Sequence, residues 1–156
     1  MDVEMLKTAL SESESVGLLP NVEHMFDKLE IVLRIAVMVG PLLLLGMGLL
    51  YLLVSPKEAN HSLGYRCYWG MSSVEVWQFT QRFAGLVWTV LGLVMSVVMA
   101  VICNGFRELA RDDMIYTALH AILWELGLVA VSILAINVTI VALFDRKGYR
   151  RRRSRR

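Results

Sequence analysis

An all-α fold crossing a membrane three times is what this sequence predicts, and three observations predict it. Of its 156 residues, 56% are hydrophobic, more than a soluble domain of this size carries. The apolar residues gather into uncharged runs at 35–54, 83–103 and 126–144, each long enough at about 1.5 Å per residue to approach or span a hydrocarbon core. The net charge of +2 conceals a gradient: residues 1–30 hold seven acids and two lysines, whereas residues 145–156 hold eight basic residues and one acid. Such an asymmetry carries topological information, because basic residues in short flanks stay on the cytoplasmic side.

Residues 1–28 read as an acidic extracytoplasmic segment. They lack the basic start and early apolar core of a signal peptide, so the first span is expected to be retained. Helical periodicity begins near Val22, with Asn21 placed to cap it after Pro20. The first membrane helix is expected over 29–54, with a kink at Gly40-Pro41, where proline removes a backbone donor. Residues 55–76 form a polar and aromatic loop. Ser72 and Glu75 have the spacing of a capping box, which starts the next helix at Ser73 before the second span, 77–103. At 100° per residue Trp77, Gln81, Gly85, Trp88, Gly92 and Ser96 share one face, a mixture of small and hydrogen-bonding residues suited to burial between helices. Asn104-Gly105 opens a charged hairpin, 104–113. The third span, 114–144, carries a heptad-spaced stripe of Ala118, Glu125, Ser132 and Thr139, with Ala121, Ala135 and Ala142 nearby, expected to face the bundle. Residues 145–156 form a basic tail.

Counting Lys and Arg in the flanks puts the N-terminus outside, the loop inside, the hairpin outside and the C-terminus in the cytoplasm, as expected for a plasma membrane. Cys67 and Cys103 then lie a helix length apart, too far for a disulfide. The sequence contains no metal-ligand cluster, phosphate-binding loop or nucleophile and base pair. Neither a cofactor nor enzymatic activity is expected.

Three places could carry function. In the loop, Tyr65, Tyr68, Trp69 and Trp77 surround Arg66, either as an interfacial aromatic belt or as a cap folded over the bundle with Arg66 as a binding residue. Within the third span, His120 and Glu125 could form a proton-linked site, as in a minor transporter, or Glu125 could clamp to Arg34 across the helices. In the tail, Arg150, Arg151, Arg152 and Arg153 suit anionic headgroups or an acidic partner better than nucleic acid, given their place directly after a span.

The residues Asn60, Gly64, Tyr65, Arg66, Met71, Ser73, Glu75, Trp77 and Gln81, at their spacing here, resemble the signature of the SdpI family of bacterial membrane proteins. Cys67 stands where that family usually has threonine, Gly70 where it often has a hydroxyl residue, and Pro56 three residues before its usual place. The resemblance implies a role like that of the family's namesake, which protects its producer from a secreted membrane-active toxin and draws a repressor to the membrane. It also implies partner contacts through Asn60, Gly64, Tyr65, Arg66, Glu75, Trp77 and Gln81. A different class of role is a small accessory subunit, packed by its small-residue faces against a larger membrane complex. Three helices bury little alone, so a membrane-protein partner or homo-oligomer is expected either way.

Overall fold

The computed structural model describes residues 18–54, 64–145 and 147–151, with the backbone alone for 18–27. Three long helices account for most of them: α1 (Leu18–Leu53), α2 (Val74–Gly105) and α3 (Arg111–Leu143), with a 3-10 turn at Phe106–Glu108 joining the last two. Each contains a stretch long and apolar enough to cross a membrane, Lys28–Leu53 in α1, Val74–Glu108 running from α2 through the turn, and Arg111–Leu143 in α3. Among the described residues β structure is limited to one antiparallel bridge, between Phe144 and Arg150.

The helix ends follow local chemistry, shifted slightly from the sequence expectation. Because α1 begins at Leu18, Asn21 lies inside it, and Pro20 falls in the first turn, where a missing N–H costs nothing. Helix α1 continues through Pro41 without interruption. The cap of α2 is Ser73, whose hydroxyl accepts from the Val76 N–H at 3.3 Å. Ser72 is drawn away from that role, donating its hydroxyl to the Trp69 carbonyl at 2.8 Å. Glu75 therefore sits one position before the place a capping box requires. Asp112 and Asp113 occupy the first turn of α3, where the helix dipole favours acids.

Helices α1 and α2 form the tightest pair, in antiparallel register. Leu45 lies against Gly92, Gly48 against Thr89 and Leu52 against Gly85. A Cβ added at Gly92 would come within 2.5 Å of the Leu45 backbone nitrogen, so the two backbones approach as closely as only glycine permits. Helix α3 closes the bundle with Ala118, Ala121, Glu125, Ser132, Ile136 and Ile140 facing inward. The inward stripe matches the sequence as far as Ser132; beyond it Ala135 and Ala142, expected to face the bundle, are exposed, and Ile136 and Ile140 are buried in place of Ala135 and Thr139. A true helical period of 3.6 drifts by about 20° per heptad, carrying the buried face forward by one residue over that distance.

Two apolar clusters mark the ends of the bundle. Val37, Met99, Cys103, Phe106 and Met114 fill the hairpin end, while Tyr51, Tyr65, Val76, Ile136 and Phe144 fill the loop end. The Val and Leu residues on the remaining surface of α2, such as Leu86, Val90, Leu93 and Val97, are exposed, as a lipid-facing side requires.

Candidate functional site

The loop end holds the densest set of specific interactions, and its residues explain why the chain folds there. Gly64 has φ +123°, a conformation that L side chains rarely adopt, and a Cβ there would strike the Trp77 ring and the Gln81 carboxamide at 2.8 Å. With that space free, the backbone of Tyr65 docks edge-on against Gln81. The Tyr65 N–H donates to Gln81 Oε1 at 2.7 Å, and Gln81 Nε2 donates to the Tyr65 carbonyl at 2.8 Å. Both bonds are buried, so one side chain on α2 satisfies the two backbone groups of a loop residue that has no strand or helix to join.

The Tyr65 ring continues the attachment. It meets Trp88 edge to face, with centroids 5.4 Å apart, and its hydroxyl lies close to Asn137 on α3. Trp88 in turn lies 5.6 Å from Tyr51 of α1 and donates its indole N–H to Ser132 of α3 at 3.2 Å. Loop and all three helices thus meet at the Tyr65–Trp88 pair. Below it, Cys67 Sγ accepts the Gly70 N–H at 3.2 Å, turning the chain toward the start of α2. Burial pushes the Cys67 thiol above its ordinary pKa, partly offset by backbone hydrogen bonds from Gly70 and Trp69.

The C-terminal segment joins this assembly as a hairpin. Asp145 Oδ1 accepts the N–H groups of Lys147 and Tyr149 at 2.9 and 2.8 Å, and the Arg151 N–H donates to the Leu143 carbonyl at 2.8 Å. Gly148 is buried against Ser72 and Ser73, and its carbonyl accepts the Ser73 hydroxyl at 3.4 Å. The beginning of the expected tail is therefore folded and docked, which an Asp at the first and a Gly at the fourth position of the turn could have signalled.

The loop residues of the predicted set separate into two groups. Tyr65, Trp77 and Gln81 are interior, Trp77 and Gln81 at 0% exposure, and Gly64 is half-buried; together they hold the loop down. Arg66 and Glu75 face outward. Arg66 lines a groove of about 670 Å³ between the loop, the end of α3 and Arg151. Glu75 lines a second groove with Arg82, Phe83 and Arg150. Asn60, Arg152 and Arg153 lie outside the described residues. Sequence reasoning missed Tyr51, Ser132 and Asn137 as loop anchors; Trp88 was placed on the correct face but not given a role.

The intramembrane set is rearranged. Arg34 does not clamp Glu125; it pairs with Glu30 one turn earlier, Nη2 to Oε1 at 2.6 Å, with Arg107 approaching the same oxygen at 3.6 Å. A local partner at i−4 is reached at far less entropic cost than one across the bundle. Glu125 is buried against Gly40, where any side chain would collide with its carboxylate, and among the described residues its Oε1 meets no hydrogen-bond partner. His120 is exposed, its Nδ1 sharing a hydrogen bond with the Tyr116 carbonyl at 2.7 Å. The two titratable groups five residues apart point to different surroundings, as a five-residue step rotates a helix by about 140°.

Residues 57–143 match the SdpI/YfhL protein family, a stretch that begins after α1 and ends with α3. No curated protein and no solved structure matches the chain.

Proposed function

Because this membrane protein belongs to the SdpI/YfhL protein family, we propose that it acts in toxin immunity or membrane signalling through the cap formed by residues 64–71. In this reading the chain sits in the plasma membrane with the cap and the C-terminal hairpin in the cytoplasm and the Phe106–Glu108 turn outside, following the bias of basic residues. The observation that carries it is the clamp between Gln81 and Tyr65. It fixes the loop backbone in one position and leaves Arg66 and Tyr68 outward, Tyr68 at 89% exposure. A preorganised surface of this kind loses little entropy on binding.

The test is a deletion strain challenged with secreted membrane-active toxins. Immunity requires that deletion sensitise the cells, and that the wild-type gene restore survival while Arg66→Ala does not. Unchanged survival of the deletion strain across the toxin panel sinks the immunity reading. Signalling requires in addition that a transcriptional repressor co-fractionate with membranes only when the cap is intact. The accessory-subunit reading draws less support: Gly48 of α1 and Gly85 and Gly92 of α2, on the small-residue faces through which it would dock, are already occupied by the other helix.

A further inference from the structure

Glu125 takes no part in the cap, yet among the described residues it is the only charged side chain that the fold buries, at 5% exposure. It lies twelve residues beyond Asp113 on α3, about 18 Å along the axis and deep inside a span. Acceptors outnumber donors around it. Its own Oε1 meets no partner among the described residues, and on the turn of α1 that it faces, the Val37 carbonyl loses its usual donor because position 41 is proline. The chain supplies no base at this depth: α1 is uncharged from Ile35 to Leu53 and α2 from Phe83 to Gly105. Arg34 sits about 9 Å nearer the hairpin end than Gly40 and is paired with Glu30. A carboxyl in such a place calls for a donor from elsewhere, since leaving it unpaired costs far more inside a membrane than in water.

Gly40 is the opening through which that donor arrives. The residue is exposed, and a Cβ on it would meet Glu125 Oε2 at 2.5 Å, so the carboxyl lies directly behind a gap in the surface of α1. Ala36, one turn earlier and also exposed, completes a pair of small residues four apart, the pattern that lets a second helix come close. This face is separate from Gly48, which is already packed against α2. Its other exposed residues, Val39, Leu43 and Met47, are apolar, so it suits a membrane helix, and the same face of a second copy would bring no donor. Lipid headgroups stay at the polar level marked by Glu30, Arg34 and Arg107. We propose that Ala36 and Gly40 seat one transmembrane helix of another protein, and that an arginine or lysine on that helix pairs with Glu125 through the gap at Gly40. Such a pair fixes the register and the identity of the partner. It depends on the chain lying in a membrane and not on any immunity role.

The experiment places the full-length protein in phosphatidylcholine vesicles with synthetic leucine–alanine helices of about 20 residues, bearing either arginine or leucine at the midpoint. Association is read by Förster transfer between labelled ends. The arginine helix is expected to bind about tenfold more tightly than the leucine helix, the scale of one charge-assisted hydrogen bond. Glu125→Gln, which keeps the shape of the side chain and removes its charge, should erase that preference. Ala36→Phe, at an exposed position, should weaken binding of the arginine helix by about the same factor while leaving the protein's own thermal unfolding unchanged. Gly46→Leu is the control: it adds bulk where nothing lies within 4 Å, about 120° around the helix from Gly40, and should leave binding unchanged. Ala36→Phe carries the test even if Glu125→Gln loosens the bundle. Four results overturn the proposal: equal binding of the two helices, an arginine preference that survives Glu125→Gln, wild-type binding in Ala36→Phe, or an equal loss in Gly46→Leu. Transfer between two differently labelled copies of the protein, abolished by Glu125→Gln, would also overturn it by assigning the seat to a second copy.

Discussion

Gln81 shows how much one side chain can decide. Its carboxamide meets both polar groups of the Tyr65 backbone in a buried setting, so Gln81→Leu leaves an N–H and a carbonyl without partners. Each such group costs about 1–3 kcal/mol, and unfolding in mild detergent should show a loss of roughly 2–6 kcal/mol. Cys67 reports on the same event. Burial holds its thiol above the ordinary pKa, so the thiolate forms at higher pH than in a free cysteine. Alkylation by a water-soluble iodoacetamide should therefore be slow at neutral pH and accelerate only as the pH rises beyond the usual thiol range. In Gln81→Leu that delay should shrink as the cap loosens; an unchanged pH profile would mean that the clamp does not hold Cys67 in place. In the sequence, Gln81 was visible as a member of a motif and of a helix face. That it would bond backbone rather than a partner was not, because the bond closes across residues 65 to 81, and nothing local specifies it.

At the level of elements, the helices were legible because each announces itself by an uncharged run and a periodic face, both local properties. The pairing was only partly so. Gly85 and Gly92 were correctly placed on the inner face of α2, but their close partners, Leu45 and Leu52, look no different in sequence from the leucines that face lipid. The Arg34 and Glu125 expectation failed for a related reason: opposite charges on two helices suggest a bridge, and the nearer acid, Glu30, was overlooked. The glycine seam gives a direct prediction. Gly92→Val must push α1 from α2 and should lower the unfolding midpoint markedly, whereas Gly46→Ala, with open space around the new methyl group, should change stability by no more than about 0.5 kcal/mol. Equal effects of the two substitutions would show that the seam is not under steric constraint.

For the whole molecule, the proposed orientation predicts opposite exposure of its two ends. Tyr68→Cys and Glu108→Cys, each in a background with Cys67 and Cys103 replaced by serine, should label from opposite faces of sealed cells with an impermeant maleimide, Glu108→Cys from outside. Labelling of both from outside would refute the three-span arrangement; labelling of Tyr68→Cys alone would invert it. The contact between Ser73 and Gly148 joins positions 75 residues apart in sequence, tying the exit of α3 to the entrance of α2. This makes the protein's resistance to force directional. Pulled by its C-terminal end, the chain would release the hairpin from Ser73 as a small first event, then draw α3 out by itself. Pulled by its N-terminal end, it would have to shear the α1 and α2 glycine contacts together at the outset. Single-molecule traces from the two ends should therefore differ in their first rupture, a mechanical polarity fixed by where the last turn docks.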